Sequence, residues 1–397
     1  MNRNENNTEN SRTARESGYT KGSVMLHRWL IIFTLVFTGG MYASEANEAN
    51  ETDPRGWKFL GAPYVYANSD FGLVFGGGGG ISKTPNIYIL YWGSISGNGL
   101  LEGGISSAEF QWKNWRFLDV SWVSKSPRYI YTLHDNDPEI VAKATVTQYE
   151  LQISALRRIE RFELGPTILK RVVSAKDAKD ANDRVIPLTA FDRFGEANIE
   201  LAGLRCRYST TSPIRPLDGV VLESALRVGR AKSDLFDEAK FDGDAELKIA
   251  WAEDDLPEGR LYIRGWAIFQ LETPPPAQQF LGWERNHRGQ PFMREWGRRF
   301  LSGRLQYHRT FARRTDFPLV HLHRLMNFVS PDYLDWEFVP FYDVGVVGDP
   351  AYGWHKTRHA IGIGLHAVLP PDLVFRLDFA LAPGGPLRFF IGAGETI

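Results

Sequence analysis

The chain has 397 residues, with 46 Lys+Arg against 47 Asp+Glu and a formal charge of −1, so nothing in its charge favours a nucleic-acid partner. With 43% hydrophobic and 23% charged residues it is not disordered as a whole, and its one cysteine, Cys206, excludes an intramolecular disulfide framework and Cys-rich metal or redox motifs. Aromatics at 13% and 38 glycines fit an all-β chain, because aromatic side chains pack well on a pleated sheet.

Residues 1–24 are polar. Met25-Leu26-His27-Arg28 then leads into the apolar run Trp29 to Phe37, broken only by Thr34 and ended by Gly39-Gly40, with Ala43, Ser44 and Ala46 beyond. A basic flank, a short apolar core and a small-residue exit are the parts of a secretory signal, and the core is too short for a spanning helix. Residues 1–46 are therefore expected to be an amino-terminal extension and a cleaved signal, with Met25 an alternative start and cleavage between Ala43 and Asn47. Residues 47–58 are expected to form a short linker, and 59–397 a single β-domain.

Sixteen strands are expected, at 59–67, 71–82, 86–96, 99–110, 115–124, 145–157, 162–175, 197–209, 218–229, 237–252, 260–272, 298–311, 334–346, 356–368, 372–382 and 385–396. The evidence is period-two alternation, since successive side chains on a strand face opposite sides. In 372–382, Leu373, Phe375, Leu377, Phe379 and Leu381 oppose Val374, Arg376, Asp378 and Ala380. In 260–272, Leu261, Ile263, Ala267 and Phe269 oppose Arg260, Tyr262, Arg264, Trp266 and Gln270, with Ile268 the misfit. In 300–308, Leu301, Leu305 and Tyr307 oppose Ser302, Arg304, Gln306 and His308. A soluble sandwich would bury the apolar set, whereas a membrane barrel would expose it to lipid. Long strands, an even count, export and aromatics at strand ends (Tyr64, Tyr66, Trp112, Trp115, Trp336, Phe338) favour a closed antiparallel transmembrane barrel of the bacterial outer membrane. The gaps 125–144, 176–196 and 273–297 are expected as long loops on one side; 312–333 is a long connection on the side that should have short turns.

From about residue 198 the order of motifs resembles the BamA/TamA-like outer-membrane barrel superfamily, the bacterial surface antigen family. Gly203-Leu204-Arg205-Cys206-Arg207-Tyr208 with Pro216-Leu217-Asp218-Gly219 is similar to its strand–turn–strand unit. Leu281-Gly282-Trp283 to His287-Arg288-Gly289-Gln290 is similar to its long inward-folding loop, and Phe341-Tyr342-Asp343-Val344-Gly345 to its F-x-D-x-G strand. Arg376-Leu377-Asp378-Phe379 and Leu387-Arg388-Phe389-Phe390-Ile391-Gly392 resemble the last hairpin, and Pro63 to Gly80 the first. The chain departs from the pattern at Gln290, where an aromatic follows Arg-Gly, at Gln306, where a Glu is usual, and at Ile397, where the family ends in Phe. About a dozen residues separate the signal exit from the first strand, so a barrel without periplasmic POTRA domains is expected.

The resemblance implies that the loop's Arg288, next to Gly289, enters the lumen and meets a wall carboxylate. Strand parity puts Asp343 on one face with Glu337, opposite Trp336, Phe338 and Tyr342. A structural or gating role follows for this contact; a solvated loop arginine is the alternative. Arg260, Arg264, Arg304, Gln306, His308, Glu337, Arg376 and Asp378 are the expected lumen lining, either a plug-filling ionic network or the selectivity wall of a pore. The leading function is a pore or transport role, with a plugged structural surface antigen second. Outer-membrane lipid and, during biogenesis, the barrel-assembly machinery are the expected partners. No cofactor is expected. His321 and His323 could share a strand face but lack a third ligand at metal spacing, and Gly76 to Gly80 lack the Lys-Ser/Thr of a phosphate cradle. No Ser/His/Asp spacing singles out a triad, so an outer-membrane hydrolase is the least favoured reading and no enzyme is expected.

Overall fold

Alternating apolar and polar residues with β-branched and aromatic enrichment leave each segment with one face to bury, and antiparallel pairing with the next segment satisfies its backbone. In the computed structural model the described residues are 58–68, 71–83, 87–134, 137–180, 182–187, 195–211, 218–234, 238–256, 259–282, 286–291, 294–316, 333–369 and 373–393. The expected signal, Met25, His321, His323 and Ile397 lie outside them.

The strands are β1 (Lys58–Asn68), β2 (Gly72–Lys83), β3 (Ile87–Ser96), β4 (Leu101–Trp112), β5 (Trp115–His134), β6 (Asp137–Ile159), β7 (Phe162–Lys179), β8 (Val185–Ile186), β9 (Ala197–Ser209) and β10 (Gly219–Ser233). They continue with β11 (Lys240–Leu256), β12 (Gly259–Gln270), β13 (Gln279–Leu281), β14 (Glu295–Gly297), β15 (Arg299–Asp316), β16 (Tyr333–Asp349), β17 (Gly353–Trp354), β18 (Arg358–Leu369), β19 (Leu373–Leu381) and β20 (Arg388–Ala393). Among the described residues there are thus twenty strands rather than sixteen. Four are two or three residues long, because the long connections pair with themselves or with a neighbouring strand end.

Eighteen strands form one sheet, with β13 and β14 a separate two-stranded ladder. Without the two-residue β8 and β17, each strand of the large sheet pairs antiparallel with the next in the chain, from β1 to β20. The sheet curls until β1 and β20 lie side by side, with Cα atoms within 8 Å, although no ladder joins them among the described residues.

The expected loop 125–144 is instead a hairpin. β5 and β6 pair from Trp115↔Arg157 to His134↔Asp137. At 20 and 23 residues these strands are about twice what crosses a bilayer, which takes roughly 9–11 tilted residues. Of the connection 312–333, the first part continues β15 to Asp316, and the part around Leu319 to Val329 lies outside the described residues.

The two faces of the sheet are chemically inverted relative to a soluble protein. Buried positions on β12, β15, β16 and β19 include Arg260, Arg264, Arg304, His308, Glu337, Asp343, Arg376 and Asp378. The alternating positions Ile263, Leu305, Phe338, Tyr342 and Phe379 are exposed. On β5 and β7 the exposed apolar positions Val123 and Val172 give way to Lys125 and Lys176, whereas on β6 Ile140 and Val141 stay exposed beyond Lys143. Beyond that change the buried face turns apolar, with Ile130, Ala142, Ala144, Val146 and Val173 forming one cluster.

Candidate functional site: a loop latched onto the buried wall

Residues 271–298 connect β12 to β15, and the described part of this segment folds onto the buried face. Asp242 fixes their start by accepting the backbone N–H of Glu272 at 3.0 Å and the hydroxyl of Thr273 at 2.8 Å. The prolines then make a 3-10 turn, Pro275–Ala277. Arg171 on β7 donates to the carbonyl of Ala277 at 2.8 Å, and the Trp296 indole donates to the carbonyl of Tyr129 on β5 at 3.0 Å. Ala277 and Trp296 are members of the apolar cluster of β5, β6, β7, β9 and β10. The β13–β14 ladder, with Phe280 opposite Trp296, forms a stem, and Asn286 ties off its end. Its side chain accepts the N–H of Gly282 at 2.9 Å and donates to the carbonyl of Phe280 at 2.9 Å.

The tip beyond this stem reaches the other side of the curl. Arg288 is wholly buried, and Asp343 on β16 receives three of its donors: backbone N–H at 3.0 Å, Nε at 2.9 Å and one terminal nitrogen at 2.9 Å. The other terminal nitrogen donates to Asp378 on β19 at 3.0 Å. The buried guanidinium stacks 3.2 Å from the centroid of Phe341, adding a cation–π contact. Arg304, directly across the β15–β16 ladder, donates to Asp343 at 3.0 Å. Asp343 therefore holds two guanidinium groups, and such charge-assisted forked bonds are the strong ones.

Gly289 is required by space. A Cβ there would lie 2.3 Å from that of Ala360 and 3.1 Å from that of Ala382, so even the smallest side chain would push the tip away from the wall. A third anchor is Glu295, wholly buried on β14, which accepts from Arg358 on β18 at 2.7 Å.

Of the residues singled out from sequence, Arg288, Asp343, Arg304 and Asp378 meet in one network, with Arg376 3.7 Å from Asp378. Gln306 is buried on the same wall, in register with Phe341, and Arg264 faces Arg304 across the β12–β15 ladder. Glu337 does not reach Arg288. It accepts from His308 at 2.9 Å and lies 3.9 Å from Arg260, in a second group beside the first. Sequence reasoning did not single out His366, which bonds Asp378 at 3.0 Å, nor Phe341 as a stacking partner, nor Glu295 and Arg358. It also passed over the buried Arg227–Asp244 pair on β10 and β11, at 2.7 Å. Strand parity places Arg227, Asp244, Phe341, Arg358 and His366 on the inward face of their strands, but it says nothing of Glu295 in the connection and cannot say which inward residues lie at the same height.

No family model matches the sequence, and no curated protein does. Among solved structures the chain is similar to BamA from Haemophilus ducreyi lacking POTRA domains 1–3, at 9% identity over 85% of this chain and 70% of that one, with a TM-score of 0.51. It is also similar to CdiB from Acinetobacter baumannii, at 12% identity over 85% of this chain and 60% of that one, with a TM-score of 0.49. The curled antiparallel sheet thus shares its fold with BamA.

Proposed function

We propose that the chain is a closed transmembrane barrel of the bacterial outer membrane, of the BamA/TamA-like kind, with a pore or transport role governed by the 271–298 loop. The inverted sheet supports the membrane reading: charged side chains are costly against hydrocarbon, so a barrel in lipid turns them inward and its apolar residues out. Outer-membrane lipid would cover the apolar face, and the barrel-assembly machinery would insert the chain. No cofactor or enzymatic step belongs to this reading.

The observation that carries the gating role is Arg288, held by Asp343 and Asp378 from opposite ends of one guanidinium. Such a latch is tight when dry and weakens once water reaches it, because hydration competes for each charge. The loop's second set of contacts, through Ala277 and Trp296, favours the other reading, a permanently plugged surface protein. Conductance of the purified protein in planar bilayers separates them. The wild type should open rarely, and Arg288→Ala should conduct steadily. Silence of both proteins would reject the pore and leave the structural reading.

A further inference from the structure

Beside the latch lies a group of side chains with a different chemistry. His308 on β15, Glu337 on β16 and His366 on β18 are all buried on the inner face, and one ligand atom from each lies within 4.8 Å of the other two. The sheet brings them together: Glu337 is directly opposite His366 across the β16–β18 ladder, and Thr310, two residues from His308 on the same face, is opposite Glu337 across β15–β16. The imidazole rings of His308 and His366 meet edge to face at 5.5 Å between centroids.

His366 is the informative member. Its Nε2 is 3.0 Å from Oδ1 of Asp378, while its Nδ1 is buried without a hydrogen-bond partner among the described residues. A carboxylate on one ring nitrogen with the other left open is the arrangement that orients a metal-binding histidine and raises its basicity. Gly364 makes the contact possible, since a Cβ there would lie 2.4 Å from Oδ1 of Asp378 and 2.8 Å from Nε2 of His366. Arg260 opposes a cation, standing 3.3 Å from Nδ1 of His308 and 3.9 Å from Glu337. Arg376 also lies nearby, at 3.7 Å from Asp378. Glu337 as a ligand and Asp378 behind His366 are the two negative groups that would offset them.

We propose that His308, Glu337 and His366 bind one divalent first-row transition ion of the zinc class, with a fourth position open to water. Two imidazoles and one carboxylate suit Zn²⁺ and its neighbours and disfavour Mg²⁺ and Ca²⁺, which prefer all-oxygen shells. The site belongs to this face of the wall and does not depend on whether the barrel conducts. It shares Asp378 with the latch, so an ion that fixes the His366 tautomer also holds Asp378 toward Arg288.

The test uses the full refolded chain, titrated with Zn²⁺ by calorimetry and with Co²⁺ by visible absorption. One ion per chain is expected, with binding weakened at least tenfold in His308→Ala, His366→Ala and Glu337→Gln. Asp378→Asn should weaken it by roughly 10–100-fold, as loss of an orienting partner does. His359→Ala, on the exposed face, and the double change His321→Ala/His323→Ala should leave it unaltered. Gel shift on boiling checks that each variant folds. Should the histidine variants fail that check, X-ray absorption of the zinc-loaded wild type still decides: two imidazoles in the zinc shell support the site, and none overturns it. Absence of stoichiometric binding, or binding indifferent to both His308 and His366, also overturns it.

Discussion

At the scale of single residues, Asp343 and Arg288 are unequal partners. Arg288→Ala leaves Asp343 with Arg304, and Asp378 with His366 and Arg376, so no carboxylate is stranded. Asp343→Ala removes the acceptor that Arg288 and Arg304 share, and of the two carboxylates on its guanidinium Arg288 keeps Asp378. Loss of Asp343 should therefore cost roughly 3–5 kcal/mol, as breaking a buried pair does. Loss of Arg288 should cost less, roughly 1.5–3 kcal/mol, the range of hydrogen bonds to charged groups. Because the two act through one contact, the double variant should be milder than Asp343→Ala alone. Unfolding midpoints followed by gel shift give all three values, and equal losses in the two single variants would contradict the shared-acceptor geometry. Arg288→Lys should not restore the wild type, since a compact ammonium cannot span two carboxylates as a planar fork does.

At the scale of elements, the loop and the wall make separate predictions. Gly289→Ala places a Cβ 2.3 Å from Ala360, so the tip must lift while the stem, held by the β13–β14 ladder and Trp296, remains. Limited proteolysis of intact proteoliposomes should cut the variant within 283–293 faster than the wild type; an unchanged rate would mean that the wall yields instead. On β19, Leu377 and Ala380 point to opposite faces. Leu377→Arg should cost about 2–4 kcal/mol if it meets lipid near mid-membrane. Strand alternation alone makes the inward Ala380 the more tolerant position, on the assumption that the lumen has room. The packing removes that assumption, because Ala380 is fully buried against Phe341 and Phe390, so Ala380→Arg should also destabilise, by overpacking.

At the scale of the whole molecule, the proposed membrane reading is tested by where the chain goes in the cell. The chain should fractionate with outer membranes and migrate faster on gels before boiling than after it. Recovery in the soluble periplasm without a gel shift would refute the membrane reading. Long β5 and β6 strands would carry their hairpin well beyond the lipid, so insertions at 135–136 should be tolerated, whereas insertions within the turn at 160–161 would sit close to the opposite interface.

What the sequence determined by itself was periodicity and its chemical content. Alternation in 300–308 and 372–382 is a local property of the chain, so strand identity and the facing of Arg304, Arg376 and Asp378 were legible there, and motif order pointed to Arg288 with Asp343. Tertiary structure decided everything that depends on height within the wall. Stagger between strands sets height, so Asp378 rather than Glu337 meets Arg288, and Glu337 meets His308. Long-range packing also explains the position where alternation failed: Ile268 faces inward with Phe300 and Val347 because Leu281 of the folded loop covers them. An inward apolar residue reads as an error along one strand, and only the return of a distant segment gives it a partner.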